Sequence, residues 1–162
     1  MSDQQVYVGS RLRTLLEQGQ ERPSASEWAE VLASLPLFSR LGKRQLRKLA
    51  DLAEFKHFGD GDFVVTIGEP GDAFYLIVGG RAKVVGGRRS RTLGIGDYFG
   101  EMALLDGEPR SASVVAVNEL QAMRLPRRAF TKFLEQEPTI AVAMLTELSA
   151  RIRRLERSSS DL

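Results

Sequence analysis

The chain contains no cysteine and a single histidine, His57. Disulfides, thiol catalysis and cysteine-bound zinc are thereby excluded, and a reducing cytoplasm is the expected setting. One imidazole cannot build the several-histidine site of a cupin-type barrel, so no metal is expected and His57 reads as a surface residue. No apolar run approaches the roughly 20 residues that span a bilayer. Ser2-Asp3-Gln4-Gln5 precedes nothing apolar enough for a signal peptide, so no membrane partner is expected. Gly-x-x-x-x-Gly-Lys loops and Gly-x-Ser-x-Gly elbows are also missing, which removes the nucleus of an ATPase, kinase-like or esterase reading. The chain reads as a non-enzyme. Charge of one sign is scarce too: 23 Lys+Arg against 21 Asp+Glu leave +2, too little to imply nucleic acid. The arginines that cluster, Arg88, Arg89 and Arg91 and then Arg151, Arg153, Arg154 and Arg157, read as solvated faces.

What is present is ordinary for a globular protein with one core: 162 residues, 43% apolar and 27% charged. Residues 5–18 read as an amphipathic helix and 19–26 as a linker rich in Gly, Pro and Ser. A second helix is expected over 27–34, with Trp28, Val31 and Leu32 inward and Ser26 as N-cap. Pro36 breaks it, Leu37-Phe38 forms a buried hook, and a third helix follows over 42–54. From Phe55 the texture changes to short β-type runs ended by glycine: 63–67, 74–78, 82–85, 91–93, 113–117 and 121–125. Glycine supplies positive φ at such corners, and the pattern reads as a small antiparallel roll of about eight strands. After Pro126 the helical period returns, over 128–135 and again from Pro138, where Leu145, Leu148, Ile152 and Leu155 form one stripe. Ser158-Ser159-Ser160 reads as a frayed tail. The expected fold is mostly β with flanking α: an antiparallel β-roll or jelly roll between N- and C-terminal helices.

The segment with unusual chemistry runs from Phe99 to Val114. Gly100 allows close backbone approach, and a short apolar turn, Met102 to Leu105, would direct free N–H groups toward an anion. Asp106-Gly107 ends that turn, and Pro109 delivers Arg110 beside the same N–H groups, nine residues after Glu101. A guanidinium fork fits two phosphate oxygens at once. A glutamate would repel phosphate, so Glu101 is aimed elsewhere, and a ribose hydroxyl is its natural donor. The bland alternative is that Arg110 forms a surface ion pair with Glu108 or Glu101.

These residues resemble the cyclic-nucleotide-binding domain family of protein kinase A regulatory subunits, gated channels and bacterial catabolite activator proteins. Its phosphate-binding cassette, Phe-Gly-Glu-x-Ala-Leu, a few residues, then Pro-Arg-[Ala/Ser/Thr]-Ala, is matched without a gap. Gly61-Asp62, Gly68, Gly71-Asp72, Phe74-Tyr75 and Gly80 resemble the family's glycine corners, and 35–39 resembles its opening turn. The resemblance covers about 32–155.

It implies ligand contacts from Gly100, Glu101, Met102, Ala103, Arg110, Ser111 and Ala112. Glu101 would accept from the ribose 2′-hydroxyl and Arg110 would pair with the cyclic phosphate. Amides near Gly100, Ala103 and Ser111 would complete the cradle. Serine at 111, where threonine accompanies cyclic GMP preference, tilts the expectation to cyclic AMP over cyclic GMP. The last helix would cap the base, through Leu155, Arg151 or Arg154, or serve as a dimer seam; Trp28 reads as core.

The expected organisation is a helical extension and linker at 1–30, the binding domain at 31–157 and a disordered tail at 158–162. No helix-turn-helix, membrane, kinase or acyltransferase segment is visible, so a stand-alone sensor and the regulatory piece of a longer protein both stay open. Expected partners are the cyclic nucleotide and either a second copy or an effector, with no other cofactor. The alternative function is a ligand-free β-roll that serves oligomerisation.

Overall fold

The computed structural model describes residues 24–88 and 90–160. The expected helix over 5–18 and most of the linker therefore lie outside the described residues, as does Arg89. Helix α1 (Ala25–Ala33) is capped by Ser24, not Ser26. Glu27 lies three residues after Ser24, so the two close a reciprocal box: the Glu27 amide donates to Ser24 Oγ at 3.3 Å and the Ser24 amide donates to Glu27 Oε2 at 2.6 Å. Pro36–Phe38 forms a 3₁₀ turn with Leu37 and Phe38 buried. Helix α2 (Lys43–Asp51) ends before the expected boundary because Glu54 already belongs to strand β1 (Glu54–Phe58), which carries His57.

Strands β2 (Phe63–Val65), β3 (Ala73–Val85), β4 (Arg91–Leu93), β5 (Tyr98–Phe99) and β6 (Ser113–Pro126) complete a six-stranded sheet whose strand pairs are all antiparallel. The roll and its flanking helices are as the sequence suggests, but among the described residues it has six strands where about eight short ones are expected, and two of the six, β1 and β5, are not among the runs legible in the sequence. The runs 74–78 and 82–85 are one strand, and so are 113–117 and 121–125. β3 and β6 pair from Ala73↔Pro126 to Val85↔Ser113 and change register around Gly79-Gly80. Gly80 has φ +75°, and a Cβ there would overlap the Glu119 carbonyl. The glycine thus bends a continuous strand rather than ending it.

β3 is buried on both faces, and its period of two divides the core. Phe74, Leu76 and Val78 face the helical layer, while Ala73, Tyr75 and Ile77 face the inside of the roll. On the helical side the Phe38 ring meets Phe74 and Phe130 edge-on, each with centroids 6.1 Å apart. Trp28 lies in the same cluster, as expected of a core residue.

Helix α3 (Ala103–Asp106) interrupts the strands, and helices α4 (Arg127–Gln136) and α5 (Pro138–Ser160) close the chain. α5 remains helical through Ser158–Ser160, where the sequence suggested fraying. Its expected stripe is also not its packing face. Leu145, Ile152 and Leu155 are exposed, whereas Ile140, Met144 and Glu147 are buried and Leu148 is half-buried against the core. Two inward positions are polar, Glu147 and Arg151, because each meets a charge on the body of the domain.

Candidate functional site

The cassette is held by the turn before β3. Gly68 N–H donates to the Arg110 carbonyl at 2.9 Å, Arg110 N–H to Glu69 at 2.8 Å, and Gly71 N–H to Glu108 at 3.0 Å. Pro70 and Pro109 sit opposite one another in this short bridge. A Cβ on Gly71 would lie 2.6 Å from Ala103 Cβ and 2.7 Å from the Glu108 carbonyl, so glycine is required for the two turns to touch. The sequence motif Gly68-Glu69-Pro70-Gly71-Asp72 therefore clamps the backbone on both sides of Arg110.

Arg110 is buried, with its side chain 7% exposed. Its Nη2 donates to the Ala73 carbonyl at 2.6 Å and lies 3.5 Å from Asp72 Oδ1. Its Nε is buried and has no hydrogen-bond partner. Gly100, at φ +79°, lies against Nη1 of this guanidinium, and a side chain there would displace it. The surface ion pairs weighed from sequence, with Glu108 or Glu101, are not formed; the nearby carboxylate is Asp72. An orphan N–H donor on a buried cation is costly in isolation, and an anion supplies the acceptor it lacks.

Arg110 opens on a cavity of about 520 Å³ between the roll and the cassette. All seven sequence-predicted residues line it: Gly100, Glu101, Met102, Ala103, Arg110, Ser111 and Ala112. One expected amide is engaged elsewhere, since Ala103 N–H donates to the Gly100 carbonyl at 3.1 Å inside the turn. Among the described residues, the amides of Glu101, Met102, Ser111 and Ala112 make no such turn or loop bond. Free N–H groups thus come from both limbs of the cassette. The remaining walls are Val65, Val84, Arg91, Tyr98, Phe99 and Val114, together with Asp106, Glu108 and Pro109 of the cassette. In the sequence Val65, Val84 and Val114 lie in strand runs, Phe99 opens the cassette, Arg91 sits in an arginine cluster that reads as solvated, and Tyr98 carries no signal. Only the pairing of distant strands brings them to one cavity.

Glu101 does not stand free. Arg151 of α5 grips it with both arms, Nη1 to Oε1 at 3.0 Å and Nη2 to Oε2 at 3.3 Å. This hydrogen bond raises the Arg151 pKa, outweighing partial burial. Tyr98 is pushed above its ordinary value of 10.0, first by burial and then by the Glu101 charge, with Arg151 opposing. Of the three α5 residues proposed from sequence, Arg151 alone meets the cassette. Arg154 pairs with Glu147 at 3.3 Å, and Leu155 is exposed. Glu147 also binds Arg40 at 3.2 Å, so α5 is tied both to the cassette and to the helical layer.

In the sequence Asp72 stands out only as part of a glycine corner. Its carboxylate bridges Arg110 and Arg124, the latter at 3.3 Å. Arg124 also binds Glu54 at 3.0 Å and donates to Tyr75 Oη at 3.1 Å. Burial alone would lower its pKa, but these partners raise it. No local signal joins position 72 to 110 or 124.

A β-roll that carries a buried arginine, free amides and a carboxylate around one cavity defines a ligand-binding module of the phosphate-cradle type. The comparisons agree with it: the model of the cyclic nucleotide-binding domain matches residues 55–137, and the chain belongs to that family. It is 38% identical over 123 residues to a cAMP-dependent protein kinase regulatory subunit of Emericella nidulans, covering 74% of this chain and 29% of that one. It is 30% identical over 141 residues to a CRP-like cAMP-activated global transcriptional regulator of Mycobacterium tuberculosis, covering 82% of this chain and 62% of the relative. The co-crystal structure of the regulatory domain of Toxoplasma gondii PKA with cAMP aligns with TM-score 0.60 at 26% identity, over 85% of this chain and 50% of that one. The chain thus spans less than two thirds of each. Among the described residues no helix is long and apolar enough to cross a membrane.

Proposed function

We propose that this domain is a sensor of cyclic nucleotide, cyclic AMP in preference to cyclic GMP, that acts by binding rather than catalysis. The observation that carries it is Arg110: a buried guanidinium with an orphan Nε, facing a cavity edged by free amides. The cyclic phosphate accepts from Arg110 and from the amides of Glu101, Met102, Ser111 and Ala112. Glu101 accepts from the ribose 2′-hydroxyl. The base lies toward Val65, Val84 and Val114, within reach of Ser111. Serine rather than threonine at 111 favours adenine, and the absence of cysteine suits a cytoplasmic setting.

Occupancy is reported through α5. Glu101 binds Arg151 bidentately, so a ligand that draws Glu101 toward its ribose changes what Arg151 can hold. α5 then has two settings with different ligand affinity, which is the requirement for a signal. The effector that reads α5 is a second copy or another protein domain.

Calorimetric titration of both cyclic nucleotides tests the reading. Arg110→Ala removes a charge-assisted contact of about 1.5–3 kcal/mol, or roughly ten- to a hundredfold in affinity. Ligand at a hundredfold over Kd should also stabilise the fold by about 2.7 kcal/mol. An unchanged melting temperature with both nucleotides supports the ligand-free interaction module instead.

A further inference from the structure

We infer a second anion site on the far side of the cassette turn, one that takes the phosphate or diphosphate group of a small molecule. Among the described residues, two buried side-chain nitrogens lack a hydrogen-bond partner: Arg110 Nε and Arg127 Nε. The first belongs to the cradle described above. The second belongs to a separate cavity of about 610 Å³, which shares no wall residue with the first. Gly71 separates them, since it packs on Ala103 of the first cavity while lining the second.

Arg127 is fixed at both ends. Its backbone N–H donates to the Asp72 carbonyl at 2.8 Å. Its guanidinium lies flat against Gly107, where a Cβ would sit 3.0–3.2 Å from Cζ, Nε and Nη1. Gly107, at φ +64°, ends α3, so this packing sets the orientation of the fork without giving it an acceptor. Arg128 and Lys132, four residues apart on one face of α4, line the same cavity, and Thr131 adds a hydroxyl. None of the three cations forms an ion pair among the described residues. Two carboxylates also line the space, but Asp72 is already engaged by Arg110 and Arg124, leaving Glu135 against three positive charges. An arginine held in orientation by Gly107, lining the cavity with two more cations and a hydroxyl, is chemistry for a multiply charged oxyanion. It stands independently of the cyclic-nucleotide reading.

Inorganic pyrophosphate is the probe, titrated at constant ionic strength and followed by amide ¹H–¹⁵N shifts. Three full chains are compared: wild type, Arg110→Ala, and Arg128→Glu with Lys132→Glu. The last two positions are exposed, so their exchange leaves the fold intact, which the spectrum itself checks. Saturable shifts at Gly107, Arg127, Thr131 and Lys132 are expected in wild type and in Arg110→Ala. The double variant should weaken them at least roughly tenfold. Shifts that never saturate, that survive the double variant, or that disappear in a folded Arg110→Ala chain overturn the site. Because the decisive comparison does not involve cyclic nucleotide, loss of cyclic AMP binding would not affect it.

Discussion

Replacing Gly100 by alanine perturbs the cradle without touching a charged group. The position has φ +79°, where an L side chain costs about 1–2 kcal/mol. The new Cβ would also run into Arg110 Nη1 and lie 2.7 Å from the Ala73 carbonyl, the acceptor of Arg110 Nη2. The carbonyl is part of β3 and cannot retreat, so the guanidinium must move. Strain and a distorted charge-assisted bond together cost about 2–4 kcal/mol, of which part is stability and part ligand affinity. A loss of 2 kcal/mol in stability lowers Tm by roughly 4–8 °C for a chain of this size. Calorimetry of wild type, Gly100→Ala, Arg110→Ala and the double variant then separates mechanism from strain. If alanine acts by displacing Arg110, it weakens cyclic AMP roughly tenfold or more on its own, yet adds little once Arg110 is gone. Full additivity of the two losses, or wild-type affinity in Gly100→Ala, would refute the packing argument.

Glu101→Gln should weaken cyclic AMP more than its 2′-deoxy analogue; equal losses would show that Glu101 does not hold the ribose. Arg151→Ala removes a partly exposed bidentate pair, so it should cost only on the order of 1 kcal/mol in urea unfolding. It should also abolish any ligand-dependent change in hydrogen exchange along α5 while leaving binding in place, and a persisting change would detach α5 from Glu101. Tyr98 ionises above 10.0, so its contribution to stability is whole below the unfolded phenol's pKa and lost as pH rises through the higher folded value. Above pH 10.0, Tyr98→Phe should therefore lose less stability per pH step than wild type. Parallel stability curves would mean that the phenol is not held in its neutral form.

The chemistry of the cradle was legible because it is local: Gly100, Glu101, Arg110 and Ser111 lie within twelve residues, with a proline and glycines that dictate their backbone. The change from helical to strand period at Phe55, and back after Pro126, was legible for the same reason. Continuity of β3 and β6 was not, because Gly80 looks like a corner in sequence, whereas Gly80 in β3 and Asn118 in β6, both at positive φ, are bends within paired strands. Nor was the packing face of α5, because Glu147 and Arg151 are polar by composition and inward by partnership. Sequence alone singled out the residues proposed to grip a phosphate, since φ preference and side-chain charge are properties of short segments. Which carboxylate steadies Arg110, which arginine holds Glu101 and what encloses the cavity were decided by tertiary structure. Those pairings join residues 38 and 50 positions apart, and only the closing of the roll brings them within reach of one another.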